Sequence, residues 1–256
     1  MIAIPVGHAV ASRVDGTPPR PRIRRMRLDR FLTRRGTHPC KEVARLLADG
    51  RVAVDGEVET SGLQRINRFS RVELDGEILQ AKESIYLMLH KPAGYLSATS
   101  DPQHPTVIEL IDHPLREELH LAGRLDRATT GLLLLTNDGR WSKRVTEPEE
   151  EISKIYRVVT RDAISSQTAA IFAAGIYFAY EDLTTRPAAL EVLAGHEALL
   201  TIHEGRYHQV KRMFHAVGNQ VLGLHRESIG PLVLDASLPA GAFRHLSAAE
   251  VAYFMK

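Results

Sequence analysis

The sequence predicts an α+β protein in two parts: a small unit of two helices and short hairpins, then a larger domain with a mixed, largely antiparallel β-sheet. Three observations carry that expectation. Apolar residues between 28 and 47 recur at helical spacing. Two Asp-Gly pairs, Asp55-Gly56 and Asp75-Gly76, each join short strand-like runs, and Asp-Gly tolerates the positive φ angles of a type I′ hairpin turn. Beyond residue 83, strand-like and helical runs do not alternate regularly, which disfavours a doubly wound parallel sheet.

The elements follow in order. Residues 1–25 hold Pro5, Pro18, Pro19 and Pro21 with Arg13, Arg20, Arg22, Arg24 and Arg25. Proline and charge without an apolar period suggest a disordered basic arm, or a misassigned start ahead of Met26. Residues 26–83 form the small unit. Leu28, Phe31 and Leu32 mark one helix, and Val43, Leu46 and Leu47 a second, with Pro39 suited to its start and Gly50 to its end. Residues 84–256 form the larger domain. Strand-like runs lie at 85–90, 132–136, 155–160 and 198–203, and helical patterns at 167–174 and 207–217. A last helix starts at Ser247, with Glu250 completing a capping box and Leu246 and Val251 a hydrophobic staple.

Composition narrows the class. The chain has 256 residues and a formal net charge of +2, so its charge is informative only where it clusters. Cys40 is its single cysteine, which excludes an intrachain disulfide and fits a reducing compartment. No apolar run approaches the ~20 residues of a membrane span, and the N-terminus lacks a signal h-region. The expectation is a cytoplasmic protein with no membrane partner. No phosphate-binding Gly-x-x-x-x-Gly-Lys loop or Gly-x-Gly-x-x-Gly fingerprint occurs. His203 and His208 are five apart, so a helix would point them ~140° apart, the wrong geometry for one zinc ion. A glycosidase needs two carboxylates ~5–10 Å apart, and nothing pairs Asp126, Asp138 and Glu204.

Positive charge clusters in the small unit at Arg27, Arg30, Arg34, Arg35, Lys41, Arg45 and Arg51. Arg27, Arg30 and Arg34 share one helical face by spacing, and Lys41 and Arg45 lie one turn apart on the next helix. Cationic faces of this kind suit RNA phosphates, where they displace condensed counterions. The runs from Met26 to Leu32, Lys41 to Leu47 and Gly50 to Gly56 resemble the ribosomal-protein-S-four-like, αL-type RNA-binding domain. That resemblance implies binding of structured RNA.

The sharpest chemical signal is Gly123-Arg124-Leu125-Asp126-Arg127-Ala128-Thr129-Thr130-Gly131-Leu132. A carboxylate between two arginines is expected to stay ionised and available as a nucleophile or base. In 207–217, Val210, Met213, Phe214 and Val217 make an apolar stripe, and His208, Lys211, Arg212 and His215 a cationic one. The Asp126 segment resembles the signature of pseudouridine synthases, and closely that of their RsuA branch, which acts on small-subunit ribosomal RNA. His90-Lys91-Pro92-Ala93-Gly94-Tyr95, Thr136 to Gly139, Lys154-Ile155-Tyr156, Glu204 to Met213, and Leu224 to Gly230 fit in order.

The resemblance implies a pseudouridine-synthase-type catalytic domain and assigns roles. Asp126 matches the nucleophile, Tyr156 the tyrosine that stacks on the target base, and Lys211 the cation paired with the Asp. Arg124 matches an arginine that fills the gap left by a flipped base. Arg206, His208, Gln209 and Arg212 belong to the basic motif and are expected at the RNA. The resemblance also implies no cofactor and no metal, a monomer, and ribosomal RNA or an assembling small ribosomal subunit as partner. Two other readings keep the RNA partner: a noncatalytic ribosome-assembly factor, and a synthase acting on large-subunit RNA.

Overall fold

The computed structural model describes residues 26–34, 39–67, 69–81, 83–147 and 151–255. The expected basic arm at 1–25 and Arg35 lie outside the described residues. The chain divides into two compact units between residues 82 and 83.

In the first unit, β1 (Met26–Arg27) leads into α1 (Leu28–Arg34) and α2 (Cys40–Ala48). Then come β2 (Val52–Val54), β3 (Glu57–Val58), β4 (Arg65–Ile66), β5 (Val72–Leu74) and β6 (Glu77–Gln80). β1 pairs with β4, and the remaining strands run in the order β3-β2-β5-β6. The helical stripes bury Leu28, Leu32, Val43, Leu46 and Leu47 against Val52, Val54, Ile66 and Val72. Pro39 stands as the N-cap of α2, and Gly50, at φ +66°, terminates it. In both Asp-Gly turns each residue has positive φ: 54° and 90° at Asp55-Gly56, 53° and 81° at Asp75-Gly76.

Arg27 departs from its expected place on the helical face. Its backbone pairs with Arg65 in the β1–β4 ladder, and a residue committed to a ladder cannot also enter α1. Its guanidinium pairs with Asp29, and Arg51 donates to Asp75 at 2.8 Å. Arg30, Arg34, Lys41 and Arg45 are exposed.

The second unit contains β7 (Tyr86–Lys91), β8 (His120–Leu121), β9 (Thr130–Thr136), α3 (Gly139–Thr146) and β10 (Lys154–Thr160). It continues with α4 (Thr168–Ala174), β11 (Tyr177–Phe178), β12 (Leu183–Thr184), β13 (Ala189–Ala194) and β14 (Glu197–Ile202). It closes with α5 (Gln209–Ala216), β15 (Val221–Ile229), β16 (Leu232–Val233), β17 (Phe243–His245) and α6 (Ala248–Tyr253). Among the described residues, one nine-stranded sheet runs β13-β14-β10-β15-β9-β7-β17, with β16 on β15 and β8 on β9. Its pairs are antiparallel except β15 with β9, so the sheet is largely antiparallel, in an α+β unit.

β9 explains why its sequence is an unbroken apolar run. Leu132 and Leu134 face one core, with Trp141, and Leu133 and Leu135 face the other, with Leu87 and Leu89. Successive side chains alternate faces, so a strand covered on both sides must be apolar throughout. In β10, Tyr156 and Val158 pack with Met213 and Phe214 of α5, while Arg157 on the opposite face pairs with Glu197 and Glu227. The 207–217 pattern begins as helix only at Gln209. His208 holds φ 50° and ψ 30°, a left-handed conformation that no α-helix contains. Ser247 caps α6 with the reciprocal Glu250 contact of a capping box. No helix among the described residues is long and apolar enough to cross a membrane.

Candidate active site

Asp126 lies in the loop between β8 and β9, and its neighbours are pinned on both sides. Leu125 is buried; its N–H donates to Ser97 Oγ at 3.0 Å, and its carbonyl accepts from the same hydroxyl at 2.7 Å. The Arg127 carbonyl accepts from the Gly94 N–H at 2.8 Å, and Arg127 Nε returns a bond to the Gly94 carbonyl at 3.0 Å. Lys91, fully buried at the end of β7, donates to the carbonyls of Thr129 (2.8 Å), Pro92 (2.9 Å) and Arg127 (3.2 Å). The backbone around Asp126 is therefore braced from beneath by the 91–97 loop. Burial pushes the Lys91 ammonium down to about 8, against the opposing pull of the Asp126 charge.

The Asp126 side chain is 26% exposed and has two side-chain partners. Lys211 Nζ is 3.0 Å from Oδ2, and His208 Nε2 is 3.3 Å from Oδ1. Both come from the start of α5, so the left-handed turn at His208 decides the geometry. The expectation that the flanking arginines hold the carboxylate needs correction. Arg127 turns to the Gly94 carbonyl and Arg124 is exposed, because adjacent residues of a tight loop point their side chains apart.

Tyr156 is 8% exposed and packs with Leu125 in one core cluster. Its hydroxyl accepts from Arg226 Nη1 at 3.3 Å. Arg226 is a residue the sequence reading left without a role. It is 4% exposed and donates to the Leu132 carbonyl (2.8 Å) and the Arg124 carbonyl (3.5 Å), touching both ends of the Asp126 loop. Its Nη2 is buried without a partner. Gly131 permits this packing: at φ +107°, a Cβ there would lie 2.3 Å from the Arg226 carbonyl oxygen. A buried cation on three acceptors fixes loop, strand and tyrosine relative to one another.

A second carboxylate sits close in sequence to α5. Glu204 is 4% exposed. Its Oε1 accepts from the Arg186 N–H (3.0 Å) and from Gln209 Nε2 (2.8 Å), and its Oε2 accepts from Arg206 Nε (3.0 Å). Gln209, expected at the RNA, is 3% exposed and is spent on this brace. Its own carbonyl takes the Arg206 N–H at 3.0 Å, so it presents no free amide to a ligand. Arg206 keeps part of its surface exposed. Arg212 turns from the expected stripe to Glu181 (2.6 Å) and lies 3.7 Å over the Phe178 ring. Lys154 is buried nearby. Burial and the charges of Arg226 and Arg186 push it down to about 8, with Glu204 opposing.

His203 bonds the Glu151 carbonyl at 2.9 Å while His208 faces Asp126, so the two histidines serve different partners. The site thus offers a partly exposed carboxylate fixed by a lysine and a histidine on a braced loop whose Leu125 packs with a nearly buried tyrosine.

Residues 85–216 match the sequence model of the RNA pseudouridylate synthase family. A protein of Pseudomonas aeruginosa named ribosomal small subunit pseudouridine synthase A is 52% identical over 227 residues, covering 88% of this chain and 99% of that protein. The Escherichia coli K12 protein of the same name is 45% identical over 228 residues, covering 89% and 99%. Among solved structures, a crystal structure of a pseudouridylate synthase aligns with TM-score 0.66 at 40% identity, covering 90% of this chain and 99% of the other.

Proposed function

The chain belongs to the RNA pseudouridylate synthase family, and from that premise we propose that it converts one uridine of small-subunit ribosomal RNA to pseudouridine, with Asp126 as nucleophile. The observation that carries this reading is the Asp126 carboxylate itself: partly exposed, 3.0 Å from Lys211, on a loop whose flanking carbonyls are held by buried Lys91. A nucleophile must be aimed and reachable, and this arrangement supplies both.

A uridine edge is out of reach within a stem, so the target base is first extruded. Asp126 then attacks either C6 of the base or C1′ of the ribose, or assists glycal formation. The N1–C1′ bond breaks, the detached uracil turns, and C5 bonds to C1′. The proton at C5 leaves and N1 gains one, so the product is an isomer of the substrate. Tyr156 offers a ring face to the base, worth about 1–3 kcal/mol of stacking. Exposed Arg124 occupies the gap in the RNA helix. Lys211 and His208 hold the carboxylate in place. In the first unit, Arg30, Arg34, Lys41 and Arg45 form the cationic surface of an S-four-like RNA-binding domain.

The test is pseudouridine mapping of ribosomal RNA from cells with and without this gene, by carbodiimide labelling and primer-extension stops. One stop in the small-subunit RNA disappears in the knockout and returns with the wild type but not with Asp126→Ala. An unchanged map would overturn the reading, and a lost stop in large-subunit RNA would move the substrate.

A further inference from the structure

Tyr207 has no part in the chemistry above, yet it is 70% exposed and lies one residue from a partner of the nucleophile. A lone exposed tyrosine needs no explanation. This one is held in place. His208 adopts a left-handed backbone that residues other than glycine enter only at a cost, and such strain concentrates at functional sites. The turn sets the imidazole flat against the Tyr207 ring, with centroids 3.9 Å apart and planes 18° apart. The Nε2 edge of that imidazole is 3.3 Å from Asp126 Oδ1. Arg212, paired with Glu181, donates to the Tyr207 backbone carbonyl at 3.4 Å. One face of the phenol ring is thus covered by His208, and its high exposure leaves the other face open. Arg206 and Lys211, close to it in the chain, are each paired with a carboxylate, Glu204 and Asp126.

We propose that Tyr207 is a stacking platform for an unpaired nucleobase of the RNA next to the target uridine. The inference rests on the Asp126 reading given above. Extruding the target breaks its stacking with a neighbour and leaves that neighbour's π-face uncovered. An aromatic ring recovers this loss and is indifferent to base identity, because every base has a π-face. Sequence-tolerant contacts of this kind suit the splayed bases of loops and bulges. A phosphate contact would use Arg206 or Lys211 and would not need a held, open aromatic face.

The test is steady-state kinetics of the full-length chain on the smallest RNA, protein-free or particle-bound, that the wild type modifies. Each nucleotide flanking the target is replaced in turn by an abasic ribose. Tyr207→Ala raises KM about tenfold, as expected for one lost stacking contact, while Tyr207→Trp keeps it low. One abasic position raises the wild-type KM by a similar factor and has no further effect in Tyr207→Ala, the signature of a shared contact. An unchanged KM, or equal losses at every abasic position in both proteins, overturns the platform. A fall in kcat with a shifted pH profile and unchanged KM also overturns it, because the ring would then only set His208 against Asp126. Failure of the underlying reading looks different: Asp126→Ala would then make as much pseudouridine as wild type.

Discussion

Glu204 and Asp126 both draw side-chain partners from one short stretch of chain, residues 206–211, and are held in opposite ways. Glu204 is 4% exposed, and its acceptors are filled by a backbone N–H, an amide and a guanidinium. Asp126 is 26% exposed and, among the described residues, its side chain pairs with the ends of two side chains, at 3.0 and 3.3 Å. A buried carboxylate held by three donors on both oxygens is fixed in place and shut off from a substrate. One steadied by the ends of flexible side chains can still reach a substrate atom. On the proposed reading, the difference separates a brace from a reagent that share partners in one segment.

Two substitutions test that difference most strongly. Asp126→Ala lowers turnover by about 10⁴-fold or more, yet costs about 1 kcal/mol or less in stability, because half-exposed ion pairs contribute little. Glu204→Ala does the reverse. It strands buried donors and costs about 3 kcal/mol, read as a lower urea midpoint, while the folded fraction keeps its turnover. A Glu204→Ala protein of wild-type stability would remove the brace from the comparison.

Lys211→Met addresses the reagent alone. Loss of the ammonium 3.0 Å from Oδ2 leaves only His208 on the carboxylate. The expected result is a fall in kcat of about 10²-fold with little change in KM, the scale of one removed electrostatic partner. Lys211→Arg restores part of it. Wild-type kcat in Lys211→Met would leave the ion pair without a catalytic part.

How much of this was legible in the sequence depends on what carries each feature. The helices of the first unit, both Asp-Gly turns and the two-sided core strand β9 are periodic or local patterns, and the sequence shows them. Asp126, Tyr156 and Lys211 could be singled out because each sits in a motif of fixed residue types. The start of α5 was not. A stripe at i, i+3, i+4 and i+7 looks the same whether residue 208 is helical or left-handed, because φ leaves no periodic trace. Lys91 and Arg226 were missed for a different reason. Their partners are backbone carbonyls of Arg127, Thr129, Arg124 and Leu132, atoms that every residue possesses. Gln209 was misread because it looks polar and solvated until its buried partner, Glu204, is in view.

The smallest effect concerns the lysine that accompanies each carboxylate. Lys91 feels the charge of Asp126 and Lys154 that of Glu204, and burial pushes both ammonium groups down to about 8. The unfolded chain holds these protons up to about 10.4. Between pH 8 and 10 the unfolded state therefore binds more protons than the folded state, so these lysines make stability rise with pH. The slope approaches about 1.4 kcal/mol per pH unit for each lysine. Lys154→Met removes one of the two contributions and halves that slope in urea unfolding across the series of pH values. Above pH 8 the deprotonation of Lys91 weakens its grip on the Arg127 and Thr129 carbonyls, and kcat falls. That fall belongs to the Asp126 cluster and persists in Lys154→Met. If the substitution abolishes the kcat decline together with half the stability slope, brace and reagent titrate as one unit and the separation between them fails.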